Sequence, residues 1–104
     1  MSSYHIQITQ PAEEDLYEIG SYISKEPLEQ DTAKKVISNI AKGINFLEEM
    51  PLKNSLVTDE RLGYKGIRKI MVDNFIVFYI VTEENKTVTI IRILFSRRDW
   101  LNIL

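Results

Sequence analysis

The chain has 104 residues, of which 44% are hydrophobic, and its net charge is −2; this suits one compact domain over residues 1–104 with its own apolar core. Cysteine is absent and His5 is the only histidine, which argues against disulfides, thiolate chemistry, a metal site or a cofactor. No stretch reaches the roughly 18 apolar residues of a membrane span, and the first residues lack a signal-peptide pattern. We therefore expect a cytoplasmic protein that does not enter a membrane.

The two halves of the chain differ in charge. Residues 1–51 carry nine acids and four lysines, and residues 52–104 carry nine basic groups and six acids, with every arginine in the second half. A guanidinium binds phosphate and carboxylate groups better than a lysine does. The second half is therefore expected to hold an anion-binding surface, although any single arginine can also be a solvated surface charge.

The first element is a strand followed by a helix. In "YHIQI" every second residue from Tyr4 is apolar, which predicts a half-buried strand. Thr9 and Gln10 then provide a helix cap, and Pro11 fits the first turn. The helix is expected to end near Pro27, and its apolar residues recur at steps of four, three and four: Ala12, Leu16, Ile19 and Ile23.

A second amphipathic helix follows and ends by Pro51. Its apolar stripe consists of Ala33, Val36, Ile37, Ile40, Ile44 and Leu47. Because the connection between the two helices is short, we expect an antiparallel helical hairpin.

The apolar period changes to that of strands in the second half. After a turn-rich loop from Leu52 to Gly66, "GIRKIMV" and "FIVFYIV" predict two strands joined by a turn at Asp73 and Asn74. "FIVFYIV" is apolar throughout, which is typical of a central strand covered on both faces. A turn at 83–85 then leads into "KTVTIIRILF". The predicted fold is α+β, in the order β-α-α-β-β-β, with an antiparallel sheet, the helical hairpin packed on one face and a short C-terminal helix.

The ordered set of motifs resembles a known superfamily. The strand with its Thr-Gln-Pro-Ala helix start, the hairpin ending in "FLEEMP", "GYKGIRKIMVDNFIVFYIV" and "VTIIRILFSRRDW" are similar to the RelE/ParE superfamily of bacterial toxins from type II toxin–antitoxin, or plasmid-stabilisation, modules. The resemblance implies growth inhibition when the protein is free of its antitoxin.

The superfamily contains two mechanisms, and both stay open. ParE-like members bind and poison DNA gyrase, whereas RelE-like members are ribosome-dependent endoribonucleases that cut mRNA. Many members carry a histidine or tyrosine where this chain has Phe95 and Ser96, and relatives often place an arginine where it has Ile76. Arginine cannot act as a base, so the missing proton-transfer group favours a ParE-like binding poison. An inactive remnant that binds only its antitoxin is a third, weaker possibility.

Candidate residues for a target or anion site follow from this interpretation: Arg68, Arg92, Arg97, Arg98, Lys53, Lys65 and Lys69. Strand alternation places Arg92 on one face with Ile90 and Leu94. Because a buried charge needs a partner, Arg92 either joins this site or pairs with a helix acid such as Glu48 or Glu49.

The resemblance also implies a cognate antitoxin as partner. A partly disordered acidic segment that folds on the toxin would compete for the arginines. The apolar tail either packs on the domain or is covered by that partner, and it consists of Trp100, Leu101, Ile103 and Leu104.

Overall fold

The computed structural model describes residues 3–23, 30–54, 57, 66–98 and 100–104, with only the backbone of Leu101. The elements are β1 (His5–Ile8), α1 (Gln10–Ile23), α2 (Gln30–Phe46), β2 (Ile67–Val72), β3 (Phe75–Thr82), β4 (Thr87–Phe95) and α3 (Trp100–Ile103). The expected end of the first helix near Pro27 and most of the loop from 52 to 66 lie outside the described residues. The predicted element order is confirmed.

One four-stranded sheet has the order β1-β4-β3-β2. The last three strands are consecutive antiparallel neighbours, as predicted, and the residues that close the first hairpin are Asp73 and Asn74. Strand β1 joins the outer side of β4 in parallel, so the sheet is mixed, with one parallel pair beside its antiparallel meander. The second turn spans Glu83–Lys86, one residue longer than expected, because Lys86 takes a φ of 51° before β4 begins.

Both faces of the sheet are covered. The helical hairpin packs on one face, where Ile40, Leu47 and Tyr79 belong to the larger core cluster. On the opposite face a smaller cluster contains Phe78 and Leu94, with residues of α3 and the following Leu104 packed against it. Val77, Phe78 and Tyr79 are each 0% exposed, which confirms that β3 is the central strand covered on both sides.

A β-bulge interrupts β4. Tyr79 pairs with Ile90 and Phe78 pairs with Arg92, so Ile91 is an extra residue on the bulged strand. The prediction that Arg92 shares a face with both Ile90 and Leu94 is therefore wrong: Ile90 belongs to the core under the helices and Leu94 to the core under α3. Strict alternation fails here because the extra residue shifts the side-chain phase.

Helix α1 is fastened to this bulge by its cap. Thr9 Oγ1 accepts a hydrogen bond from the backbone N–H of Ala12 at 3.3 Å and lies 2.9 Å from the carbonyl oxygen of Ile90. The backbone N–H of Thr9 also donates to the Ile90 carbonyl, at 3.1 Å. The residue that starts the helix therefore also fixes where it sits on the sheet. None of the described helices is long and apolar enough to cross a bilayer.

Candidate target-binding site

Arg97 and Arg98 lie in the turn that directly follows β4, and both are exposed. Three backbone hydrogen bonds hold this turn: Ser96 N to Asn74 O at 2.9 Å, Arg98 N to Phe95 O at 3.0 Å, and Trp100 N to Arg98 O at 2.8 Å. The turn is thus tied to the β2–β3 hairpin on one side and to α3 on the other. The two guanidinium groups are carried on a fixed backbone and are accessible to an anionic partner.

Arg92 has an anionic partner within the chain. Its Nε and Nη2 donate to the two carboxylate oxygens of Asp15 on α1, at 2.7 and 2.8 Å. This hydrogen bonding to Asp15 is the main reason that the pKa of Arg92 is raised. Of the two alternatives for Arg92, the structure shows the ion pair with a helix acid, and this acid is Asp15 rather than Glu48 or Glu49.

Arg68 is held at a different place. Its Nη1 donates to the backbone carbonyl of Asn54 at 2.5 Å, and the side chain of Asn54 donates to Tyr79 Oη at 3.2 Å. Tyr79 Oη in turn donates to the carbonyl of Pro51 at 2.7 Å. The network fastens the segment after α2 to the sheet. It also provides hydrogen-bond partners for the buried hydroxyl of Tyr79.

The strand register separates Arg68 from the Arg97–Arg98 turn. Arg68 pairs with Tyr79, and Tyr79 pairs with Ile90, which lies five residues before the end of β4. At 3.3 Å per residue, five residues correspond to about 16 Å along the strand. The four arginines therefore do not form one compact cluster. Arg68 and Arg92 are engaged by other groups, and Arg68 also lies far from Arg97 and Arg98.

The lysine candidates are also dispersed. The Lys69 ammonium lies 5.4 Å from the centre of the Trp100 ring, on the face covered by α3, where it makes a cation–π contact. Lys53 is exposed in the turn after α2. Lys65 lies outside the described residues.

Neither a histidine nor a tyrosine directly precedes Arg97 and Arg98 at the end of β4. Phe95 and Ser96 precede the pair, and the exposed His5 is paired with Thr87 at the opposite end of β4. Strand β4 has nine residues, so its ends are about 26 Å apart. The hydroxyl of Tyr79 is buried and hydrogen-bonded, and burial raises its pKa, which makes it a poor base.

The apolar tail packs on the domain. The rings of Trp100 and Phe78 have centroids 5.2 Å apart at an interplanar angle of 43°. Ile103 and Leu104 are partly buried against the same cluster, and the side chain of Leu101 lies outside the described part of the chain. The part of the tail that is described is thus core, with Trp100 as its anchor.

Sequence reasoning missed Asp15. Its side chain is only 7% exposed, and it also accepts the backbone N–H of Ile93 at 2.9 Å. A signal was present, because Asp15 follows Ala12 by three residues and precedes Ile19 by four, which places an acid on the apolar stripe. Within the described part of the chain, no group of three or more His, Cys, Asp or Glu residues could hold a metal ion.

Solved structures with the same fold come from toxin–antitoxin systems. The chromosomal ParDE system of P. aeruginosa matches with a TM-score of 0.75 at 18% identity, covering 93% of this chain and 100% of that one. The RelBE2 complex of Mycobacterium tuberculosis matches with a TM-score of 0.67 at 18% identity, covering 91% and 93%. A mutant of the E. coli toxin RelE in the free state gives 0.67 at 16% identity, covering 97% and 92%.

These likenesses show that the chain has the fold of these toxins. No curated protein matches the sequence. The family model of the ParE toxin of the type II toxin–antitoxin system parDE matches residues 6–100. The chain therefore belongs to the ParE family of type II toxins.

Proposed function

We propose that the protein is a ParE-like toxin that inhibits growth by binding DNA gyrase and is held inactive by a cognate antitoxin. The observation that carries this proposal is the isolation of the exposed Arg97–Arg98 pair from His5, about 26 Å away along β4, and from the buried hydroxyl of Tyr79. Cleavage of RNA needs a group that takes up a proton and one that donates it. A poison that acts by binding needs neither.

In this proposal Arg97 and Arg98 contact the target. They are exposed, backbone hydrogen bonds hold their turn, and neither forms an ion pair with another of the described residues. Arg92 serves the site indirectly, because its bond to Asp15 holds the last third of β4 against α1. Charge-assisted hydrogen bonds to carboxylates or phosphates are the strong contacts that such a pair can make.

A ribosome-dependent mRNA endoribonuclease is the second candidate. It is supported by the fold shared with RelE and by the exposed position of Lys53. The acidic pI of about 5.4 argues against it, because phosphate neutralisation supplies much of the affinity for RNA.

The test is to induce the protein in cells without its antitoxin and to follow plasmid supercoiling and mRNA integrity in parallel. Loss of supercoiling while mRNA stays intact is expected, and purified protein should inhibit gyrase in a supercoiling assay. Early mRNA cleavage with unchanged supercoiling would instead establish the nuclease. A cell that shows neither effect and grows normally would point to the inactive remnant, which binds only the antitoxin.

A further inference from the structure

The turn between β2 and β3 is bound to α2 by a side-chain hydrogen bond. Asn39 Nδ2 donates to Asp73 Oδ2 at 3.0 Å. The two elements are close here, since a methyl group added to Gly43 would lie 2.8 Å from Val72 Cγ2. Asn39 precedes Gly43 by about one helical turn and therefore faces the same end of β2. Helix α2 thus approaches both the last residue of β2 and the first residue of the turn that follows it.

Asp73 has a backbone conformation that glycine would adopt more easily. Its φ is 53°, in the left-handed region where a side chain costs free energy and glycine does not. Aspartate tolerates this region better than most residues do. A conformation of this kind points to a role for the side chain, and the hydrogen bond to Asn39 is an interaction that glycine could not make.

The β2–β3 turn is also bonded to the Arg97–Arg98 turn. The carbonyl oxygen of Asn74, the second residue of the β2–β3 turn, accepts the backbone N–H of Ser96 at 2.9 Å. Next to this bond the rings of Phe75 and Phe95 are in edge contact, with centroids 5.8 Å apart. A continuous series of contacts therefore joins helix α2, the β2–β3 turn and the turn that carries the two exposed arginines.

We propose that Asn39 and Asp73 are positioning residues for target binding: their hydrogen bond holds the β2–β3 turn on α2 and thereby restrains the Arg97–Arg98 turn. This inference rests on the proposed function, in which the two arginines contact the target. Neither positioning residue has to touch the target itself. Freedom that the hydrogen bond already removes in the free protein does not have to be lost on binding, so the affinity is higher.

A purely electrostatic role of Asp73 is the alternative. Asp73 and Arg98 line the same groove of about 850 Å³, but these two residues do not form an ion pair. A carboxylate near the guanidinium would compete with an anionic group of the target and lower the affinity. The two roles therefore predict opposite signs. Loss of the Asp73 side chain weakens binding if the residue positions the turn, and strengthens binding if its charge competes.

The experiment compares variants that break the hydrogen bond with one that keeps it. Asn39→Ala removes the donor, and Asp73→Gly removes the acceptor while it relieves the backbone conformation. Asp73→Asn removes the charge but keeps an oxygen that can accept the bond. Lys86→Gly is the matched control, because Lys86 has a φ of 51° and an exposed hydrogen bond to Glu83 in the turn at the opposite end of the sheet.

For each variant the hydrogen-exchange rate of the Ser96 amide is measured by NMR, together with the thermal midpoint, the Kd for gyrase, and growth at graded induction without the antitoxin. Breaking the bond should accelerate Ser96 exchange and raise the Kd, each about two- to tenfold, as expected for one hydrogen bond. The thermal midpoint should stay close to the wild-type value, because exposed polar contacts add little to folding. Asp73→Asn and Lys86→Gly should behave like the wild type in every measurement.

Wild-type growth inhibition in Asn39→Ala and Asp73→Gly would overturn the inference, whatever the Ser96 exchange rate. Tighter binding by both Asp73 variants would overturn it in favour of the electrostatic role. A thermal midpoint that falls in parallel with toxicity would show that the hydrogen bond is only structural. If the wild type is toxic but does not bind gyrase, the proposed function fails, and growth of the variants then decides whether the positioning role holds for another target. A wild type that neither binds gyrase nor slows growth would overturn both.

Discussion

Asp15 on α1 accepts two hydrogen bonds from the guanidinium of Arg92 and a third from the backbone N–H of Ile93, at 2.7, 2.8 and 2.9 Å. The arginine and the N–H both belong to β4, just after its bulge. One buried carboxylate therefore joins the first helix to the strand that ends at Arg97 and Arg98. A buried charge that is fully hydrogen-bonded fixes geometry, whereas removing one partner leaves the other uncompensated.

The first prediction concerns this contact. Asp15→Ala should lower the free energy of unfolding by about 3 kcal/mol, because it leaves Arg92 without its counter-charge and the Ile93 N–H without an acceptor. Urea denaturation measures the loss. Glu18→Ala is the control on the same helix and should stay within about 0.5 kcal/mol of the wild type. An unchanged midpoint for Asp15→Ala would mean that the ion pair contributes nothing to folding.

A second prediction uses two helix glycines with opposite surroundings. A methyl group on Gly20 would lie 3.8 Å from Ile37 Cδ1, an ordinary contact, whereas one on Gly43 would lie 2.8 Å from Val72 Cγ2. Gly20→Ala should therefore stabilise the protein by up to about 1 kcal/mol through helix propensity. Gly43→Ala should destabilise it by about 1–3 kcal/mol, because α2 is forced away from β2.

Combining Gly43→Ala with Val72→Ala isolates the cause. If the clash with the Val72 methyl is responsible, the double variant should be more stable than the sum of the two single changes predicts. Thermal unfolding of the four proteins gives the comparison. Strict additivity would mean that helix α2 and strand β2 are not in close contact at this point.

The residues that escaped sequence reasoning share one property, namely that their position depends on a tertiary detail. The period of the apolar residues was sufficient for the two helices and the last three strands, and Asp73-Asn74 marked the first hairpin turn. The sequence around β1 did not indicate which strand it pairs with, since parallel pairing joins segments that are far apart in sequence. The bulge at Ile91 also had no signal in the sequence, and it shifts the side-chain phase just before Arg92.

The candidate site was predictable only in part. Arg97 and Arg98 were candidates from the sequence, and both lie exposed in the turn after β4. Arg68 could not be assigned correctly, because its partner is the backbone carbonyl of Asn54, and a carbonyl acceptor has no signature in a sequence.

The third prediction is a pH dependence at the opposite end of the sheet. A hydrogen bond from Tyr4 Oη to Glu83, at 2.6 Å, is the main cause that lowers the pKa of Glu83 below its ordinary 4.5, and Lys86 adds to it. Ionised Glu83 therefore stabilises the fold at higher pH. This contribution is lost as the pH falls from about 4.5 through the lower pKa of the folded state.

Tyr4→Phe should remove the largest part of this effect. An NMR titration should find that the pKa of Glu83 rises toward its ordinary value in the variant. The acid-dependent loss of stability below about pH 4.5 should become shallower. Lys86→Ala is the companion variant, and it should move the pKa of Glu83 in the same direction. An identical Glu83 titration in wild type and Tyr4→Phe would show that the hydrogen bond is absent in solution.

The fourth prediction tests the orientation of the helical hairpin. Ile40 is 0% exposed in the core beneath the helices, so Ile40→Asp should unfold the domain by burying an unpaired charge. Lys42→Asp, two residues away on the exposed face of α2, should leave the protein folded. Circular dichroism distinguishes the two. A folded Ile40→Asp protein with an unchanged thermal midpoint would contradict the register of α2.

The last prediction concerns Arg97 and Arg98. If the pair contacts the target, Arg97→Ala and Arg98→Ala should each abolish or strongly weaken toxicity while the melting temperature stays unchanged. Exposed charges contribute little to folding, and two adjacent like charges oppose it slightly. A lost charge-assisted hydrogen bond, in contrast, removes about 1.5–3 kcal/mol of binding free energy, or roughly ten- to a hundredfold in affinity.

In these two variants, cells should therefore grow after induction, while the thermal midpoint of the purified protein should stay unchanged. Lys42→Ala removes an exposed charge of the same sign on α2 and should change neither measurement. A structural role for the arginines would show the reverse pattern, in which the melting temperature falls and toxicity declines only because less protein is folded. Full toxicity at wild-type stability in both variants would mean that the target lies elsewhere on the protein and that Arg97 and Arg98 are only solvated at the end of β4.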